Sequence, residues 1–537
     1  MKVLYLRRAF AAAALTAALS TGACSTLPGN EVTFRAAPYA ALETIDPIWT
    51  TSYITRSYGY LVYDTLFAMD QNFQPQPQMV DTWKVSPDQL TWTFHLRDGL
   101  KWDNGTPVTA ADCVASLERW GKRDGVGQAL FSQVSGIEAA DARTIVIHLK
   151  APYANMLAAL AKISSNVPFM MPARVASTDP NTPITDPTGS GPFMFDKKDW
   201  NPGKLAVFLR NPYYVPRQEP TSLAAGGKVA KVDRIEWISY PTQEDAVQAL
   251  VKGDVDYLES PSTSKIQELK ANPDVTVAFT DPLGNIGMAV FNQKIPPFDL
   301  APVRRAVLMA MDQKAYMTAA LQDPLLWHTC YSIYPCGTAY ATDAGSKIMQ
   351  TASIEAARKA LKTSGYEGTT VVILNPTDNA VLSAFTKVTV DLLHEIGMKV
   401  EVRDMKWADL VKARTHMFPD AKGQRWNMFH TWWVAADLLD PTRIAFSGDP
   451  KTGWIGWPLD SKLEKLRADF VVAKTEAERK DLAAKVQERI YDDGMFGILG
   501  QFYEPIAYRN NVVGIQSPIQ MYYNLGFAKK PEPPTNQ

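Results

Sequence analysis

Residues 370-TVVIL-374 read as a buried strand, the segment after them as a helix stopped at Gly397, and 398-MKVEV-402 as a second strand. That order is a β-α-β unit, in which the strands run parallel and the helix covers one face of the sheet. A chain that contains it is constrained to an α/β architecture. The same switching between a period of two and a helical period recurs along most of the sequence. Strand-type runs stand at 32-VTFRAA-37, 192-PFMF-195, 205-LAVFLR-210, 234-RIEWISY-240, 255-VDYL-258 and 505-PIAY-508. In 90-LTWTFHLRDGLKW-102, Trp92, Phe94 and Leu96 share one face, Thr91, Thr93, His95 and Arg97 the other, and Asn104-Gly105 then supplies a turn. The run 144-TIVIHLK-150 alternates in the same way.

Helices fit between these strands. One starts at Thr109 with Asp112 as its capping-box partner and Cys113, Leu117 and Trp120 on one face. Others span Gln243 to Gly253 and Pro302 to about Leu321; a further helix starts at Ser353 and stops at Gly365. Two more are expected over 461–471 and 476–492. At 537 residues the chain is long enough for two or three domains. It has no internal repeat and no flexible linker, so the expectation is lobes joined by hinges.

The first 23 residues stand apart. Lys2, Arg7 and Arg8 precede the apolar run 9-AFAAAALTAALSTGA-23, the pattern of an export leader. Its removal takes three basic residues and no acid, moving the net charge from −1 to about −4. The cut falls before Cys24, and two outcomes stay open: lipidation of Cys24 as a membrane tether, or ordinary cleavage that leaves its thiol free. The position three residues before Cys24 holds Thr21, where lipoprotein leaders prefer Leu. Export permits disulfides, and 330-CYSIYPC-336 is expected to bridge Cys330 to Cys336 around a short loop. Cys113 is expected in a core. His328 beside that pair lacks a fourth ligand for zinc, so no metal and no cofactor are expected. A near-neutral charge without a basic stripe argues against nucleic acid as a partner. The tail 531-PEPPTNQ-537 is expected to be disordered.

Motifs of catalysis are absent: there is no G-x-S-x-G, no G-x-G-x-x-G and no phosphate loop. What stands out instead is 429-FHTWWVAADLLDPTRI-444, where Trp432 and Trp433 lie four to five residues before Asp437, with Asp440 just beyond. A period-two strand turns one of the two rings to a core and the other outward. The two acids admit a second reading as the couple of an exported carbohydrate hydrolase.

Several blocks together resemble one family, the extracellular solute-binding proteins of ATP-binding-cassette importers, family 5, which includes dipeptide and oligopeptide binders. They are 78-QMVDTWKVSPDQLTWTFHLRDGLKWDNGTPVTAADCVASLER-119, 189-GSGPFMF-195 with 210-RNPYY-214, 297-PFDLAPVRRAVLMAMDQ-313, 353-SIEAARKALKTSGY-366 and 475-TEAERKDLAAKVQERIYDDG-494. The resemblance implies a type II periplasmic-binding-protein fold: two α/β lobes, one with an inserted subdomain, closing on a hinge around a ligand. It implies lobe I from 30–75, 190–284 and 505–530, an insertion over 76–189, and lobe II over 285–504. It implies a monomer in the periplasm that performs no chemistry and docks on a permease. In the family's peptide binders an aspartate after an aromatic-small-small run pairs with the ligand's α-ammonium. In 433-WVAADLLDP-441 that place is held by Asp437, although Trp433 precedes it by four residues where three is usual. Thr51, Ser52 and Tyr53 are candidates for contacts from the first lobe, or else form a helix start. Asn285 and Met288 either approach the ligand or form hinge strand. The same family implies alternatives to a peptide: nickel chelates, haem, oligosaccharides and amino-acid conjugates.

Overall fold

The computed structural model describes residues 31–528, apart from residues 154, 422, 452, 474, 517, 518 and 520. The expected leader, Cys24 and the proline-rich tail lie outside the described residues. Two large sheets organise the rest. The first has seven strands in the order Val275–Ala278, Ile506–Arg509, Tyr257–Leu258, Thr33–Ala37, Arg234–Ile238, Leu205–Arg210 and Phe193–Phe195. Its central strand, Thr33–Ala37, is parallel to both neighbours, and Phe34, Ala36 and Ala37 along it are buried.

The second sheet has six strands, ordered Trp327–His328, Phe496–Phe502, Asn285–Phe291, Met428–Val434, Val371–Pro376 and Val400–Met405. Val371–Pro376 and Val400–Met405 pair in parallel, and the helix Ala380–Ile396 between them ends on Gly397 with φ at 99°. Glycine adopts that left-handed conformation without a Cβ clash. The β-α-β unit is therefore formed as expected. A separate antiparallel sheet contains Val80–Val85, Thr91–Leu96, Thr144–Leu149 and Val134–Ala139. Over it lies the helix Ala110–Arg123, whose Thr109–Asp112 capping box is complete and whose Cys113, Leu117 and Trp120 are fully buried.

The apolar core around Phe34, Leu61, Phe94 and Trp120 is distinct from the core around Ile286, Val307, Phe385 and Phe429. A smaller third core around Val247, Leu250 and Leu269 packs on the first sheet, so the two sheets with their cores make two lobes. The chain crosses from the first sheet to the second between Ala278 and Asn285, and returns between Phe502 and Ile506. These crossings are tied together where Asn285 Nδ2 donates to Glu504 Oε2 at 2.9 Å. Ser260 Oγ, in the first lobe, donates to the other carboxylate oxygen at 3.1 Å.

Two local readings need correction. The helix expected from Pro302 to Leu321 is two helices, Ala301–Leu308 and Gln313–Leu321. Asp312 accepts a hydrogen bond from Lys314 N and so caps the start of the second helix. The fully buried strand Phe496–Phe502 carries no strand signal in the sequence, because 496-FGILGQF-502 contains two glycines and no alternation. Cys330 and Cys336 are bridged, and Cys113 is free and buried.

Candidate functional site

The strand Met428–Val434 runs antiparallel to Asn285–Phe291, with Trp433 opposite Ile286 and Trp432 opposite Gly287. At its end the chain tightens into the turn Ala435–Leu438, which carries Asp437 toward the other lobe. Facing it is the first-lobe helix Tyr53–Val62, preceded by Thr51 and Ser52. Contacts cross directly. Val434 N donates to the Tyr53 hydroxyl at 2.6 Å, and Trp454 Nε1 donates to Thr51 Oγ1 at 3.3 Å. Ser164 Oγ donates to Asp437 Oδ2 at 2.9 Å while accepting from Arg56 Nη1 at 2.7 Å. The lobes are thus closed on each other.

Between them lies a narrow cavity of about 30 Å³. Tyr39, Thr51, Ser52 and Tyr53 line it from the first lobe; Trp407, Arg414, Trp432, Trp433 and Trp454 are among the residues that line it from the second. Trp433 is buried, its ring 4.8 Å from that of Trp454, whereas Trp432 is half-buried and meets Phe502 edge-on. Both residues border the cavity, and their rings keep the strand's alternation: Trp433, like Phe429, lies against Trp454, and Trp432, like His430, lies on the side of Phe385 and Phe502.

Asp437 is 3% exposed. Burial pushes its carboxyl above the usual range, and Lys162, Arg56, Tyr53 and Ser164 act against that rise. Oδ2 accepts from Ser164, while Oδ1 is buried with no donor in bonding geometry. Asp440 differs. Burial opposes its charge too, but Arg443 at 2.8 Å and the Thr442 hydroxyl hold it below the ordinary carboxylate range. It is committed to its own turn.

Asn285 sits at the hinge on Glu504. Met288, fully buried, borders a different cavity inside the second lobe with Phe496 and Trp454. Tyr39, Trp407, Arg414 and Trp454 belong to the wall but were not singled out in the sequence. Trp407 opens a short helix and Arg414 closes it, so the spacing W-x6-R was the available signal. Trp454 lies in an irregular loop that no local pattern marks. Among the described residues no group of three or more His, Cys, Asp or Glu is placed to hold a metal, and no helix is long and apolar enough to cross a membrane.

The family described as bacterial extracellular solute-binding proteins, family 5 (middle), matches residues 74–452. The chain is similar to a probable peptide ABC transporter periplasmic-binding protein of Sinorhizobium fredii, 35% identical over 492 residues, covering 90% of this chain and 91% of that one. Among solved structures it resembles the AgaA binding protein of A. tumefaciens R10 in complex with agropinic acid. The TM-score there is 0.77 at 21% identity, over 93% of this chain and 99% of that one. It also resembles the DppA periplasmic binding protein of Helicobacter pylori in complex with the peptide STSA. That TM-score is 0.76 at 20% identity, over 93% and 98% of the two chains. At such identities the two structures speak to the fold.

Proposed function

The chain belongs to family 5 of the bacterial extracellular solute-binding proteins, and on that footing we propose that it holds a peptide or other amine-bearing solute between its lobes and delivers it to an ATP-binding-cassette permease. It works outside the cytoplasm, at the outer face of the inner membrane, as a binder that turns nothing over. The observation that carries this reading is Asp437. A buried carboxylate whose second oxygen has the Tyr53 hydroxyl beside it as its one nearby donor supports an acceptor for a cation brought in by the ligand.

The physical case follows from burial. A charge-assisted hydrogen bond to an ammonium is about twice as strong as a neutral one. Trp432 and Trp433 add apolar area and a cation-attracting face beside it. Thr51, Ser52 and Tyr53 supply hydroxyls from the opposite lobe. Because both lobes contribute, the full set of contacts exists only when the cleft is shut, and a ligand that makes them shifts the population toward closure. In this reading Asn285 and Met288 act on the hinge strand.

A thermal-shift screen against di- to pentapeptides, amino-acid conjugates, oligosaccharides and nickel chelates tests it. Ligand at 100 times its Kd adds about 2.7 kcal/mol to stability. Peptides should raise Tm, and Asp437→Asn should abolish the rise. A shift given by sugars or chelates alone would reject the peptide reading and leave the family assignment standing.

A further inference from the structure

Resting on the reading of the cleft as a solute site, we infer that its hinge is a proton-linked latch: protonation of Glu504 favours the closed cleft, so that solute capture takes up a proton. The crossings between the lobes leave no slack. Gly284 has φ at +64°, and a Cβ there would fall 2.2 Å from the Phe502 carbonyl oxygen. Gln501 Nε2 donates to the Leu283 carbonyl at 2.7 Å, which ties the first crossing to the strand that leads into the second. Ala435 N donates to the Gly284 carbonyl at 2.8 Å, which ties the hinge to the turn that carries Asp437. Glu504 spans the lobes at this point. The Ser260 hydroxyl reaches one of its oxygens from the first lobe, and the Asn285 amide reaches the other from the second.

The charges around it are of one sign. Glu259, at the end of the strand Tyr257–Leu258, accepts on Oε2 from Tyr39 N and from the Tyr522 hydroxyl, both at 3.1 Å. Asp281, on the first crossing, accepts from Leu283 N at 2.9 Å. Three acids thus gather at the hinge, and every hydrogen-bond partner they have among the described residues is neutral. Arg56 acts on Glu259 and Asp281 only from a distance, being bonded to Ser164 and stacked on Tyr53. Burial raises the pKa of Tyr39, Tyr257, Tyr503 and Tyr522 and lowers that of His328, so none of these supplies a charge near neutral pH. What remains to neutralise Glu504 is a proton. Glu504 and Glu259 are half-buried, which leaves that proton a route to solvent. In the closed state burial and Glu259 lift Glu504 to about 7. Opening moves Ser260 with one lobe and Asn285 with the other, so the carboxylate exchanges a partner for water and returns toward the ordinary value of about 4.3. The closed state therefore holds the proton more tightly than the open one. Closure is favoured as pH falls through about 7 and weakened as pH rises through it.

Small-angle X-ray scattering of the ligand-free mature chain reads closure with no solute present. We expect a smaller radius of gyration at about pH 6 than at about pH 8, and in Glu504→Gln the compact value at both. Calorimetric titration with tri-alanine reads the coupling. Repeated near pH 7 in buffers of different ionisation enthalpy, it should show uptake of about half a proton per solute bound, because a group whose closed-state pKa is about 7 is then half protonated. Kd should be roughly 5- to 10-fold weaker at about pH 8 than at about pH 6. In Glu504→Gln that ratio should fall to about 2-fold, the share of the solute's own α-amino group. Ionisation of Asp437 alone would give the opposite sign, tighter binding as pH rises. Acid compaction that depends on Glu504, in a chain that ignores tri-alanine, would support the latch and reject the peptide reading. Tri-alanine binding without proton uptake, or with an uptake that survives Glu504→Gln, would overturn the latch and keep the peptide reading. Equal radii at the two pH values overturn the latch whatever binds. Should Glu504→Gln not fold, the radii and the proton count of the unmodified chain decide alone.

Discussion

At the scale of single residues, the cleft places a buried acid and a buried base in chemically opposite settings. Asp437 sits among Ser164, Tyr53, Arg56 and Lys162, yet desolvation outweighs them and raises its pKa. A raised carboxyl pKa means that the folded state prefers the proton. Ligand-free stability therefore falls as pH climbs from the unfolded value, about 3.9, through the higher folded value. We expect Asp437→Asn to flatten that part of the pH dependence in urea melts. Its Tm near neutral pH should equal or exceed that of the parent, while amine-dependent binding is lost. Loss of both together would make Asp437 a structural residue. The positions of Thr51 to Tyr53 and the paired tryptophans on the cavity wall, and of Asp437 at the lobe interface, stand in contiguous motifs and so could be singled out in the sequence. Arg414 offers only its spacing from Trp407 in the sequence, and its place in the wall is decided by the fold.

At the scale of elements, most strands and helices could be read from period and caps, and the exceptions have local causes. Asp312 supplies a cap inside an apparent helix, so a run of helix formers yields two helices. The strand Phe496–Phe502 was hidden by Gly497 and Gly500, residues that weaken strand propensity. Its geometry explains them. Gly500 has φ at +128° and lies opposite Gly287, where the pairing with Asn285–Phe291 slips by one residue. A Cβ at Gly500 would fall 2.7 Å from Met317 Cγ. Strain at such a φ costs about 1–3 kcal/mol, and overpacking adds about as much. Gly500→Ala should lower stability by roughly 2–6 kcal/mol in urea unfolding. A loss under about 0.5 kcal/mol would show that the bulge relaxes freely.

At the scale of the whole molecule, closure depends on two adjacent crossings that share one carboxylate. Burial lifts Glu504 to about 7, with Glu259 nearby adding to the rise while Ser260 and Asn285 oppose it. Asp281, on the other crossing, is pushed to about 6 by burial. Both pKa values are raised, so the protein gains stability as pH falls from about 7 toward the unfolded carboxyl range, at about 1.4 kcal/mol per unit of pKa difference. Glu504→Gln keeps an acceptor for Asn285 and removes the charge. Chemical denaturation at pH 5 and pH 8 should show a smaller loss of stability on alkalinisation for the variant than for the parent; an unchanged difference would place the titration elsewhere. The α/β class, the pairing of Cys330 with Cys336, the family and the contiguous part of the cleft follow from the sequence alone, because period, caps and short motifs act over a few residues. The splitting of strands into two sheets with separate cores, the cage around Arg414, the place of Trp454 and the coupling of the crossings through Glu504 were decided by tertiary structure. Each depends on residues some 40 to 400 positions apart, and only packing and desolvation bring such groups within reach of one another.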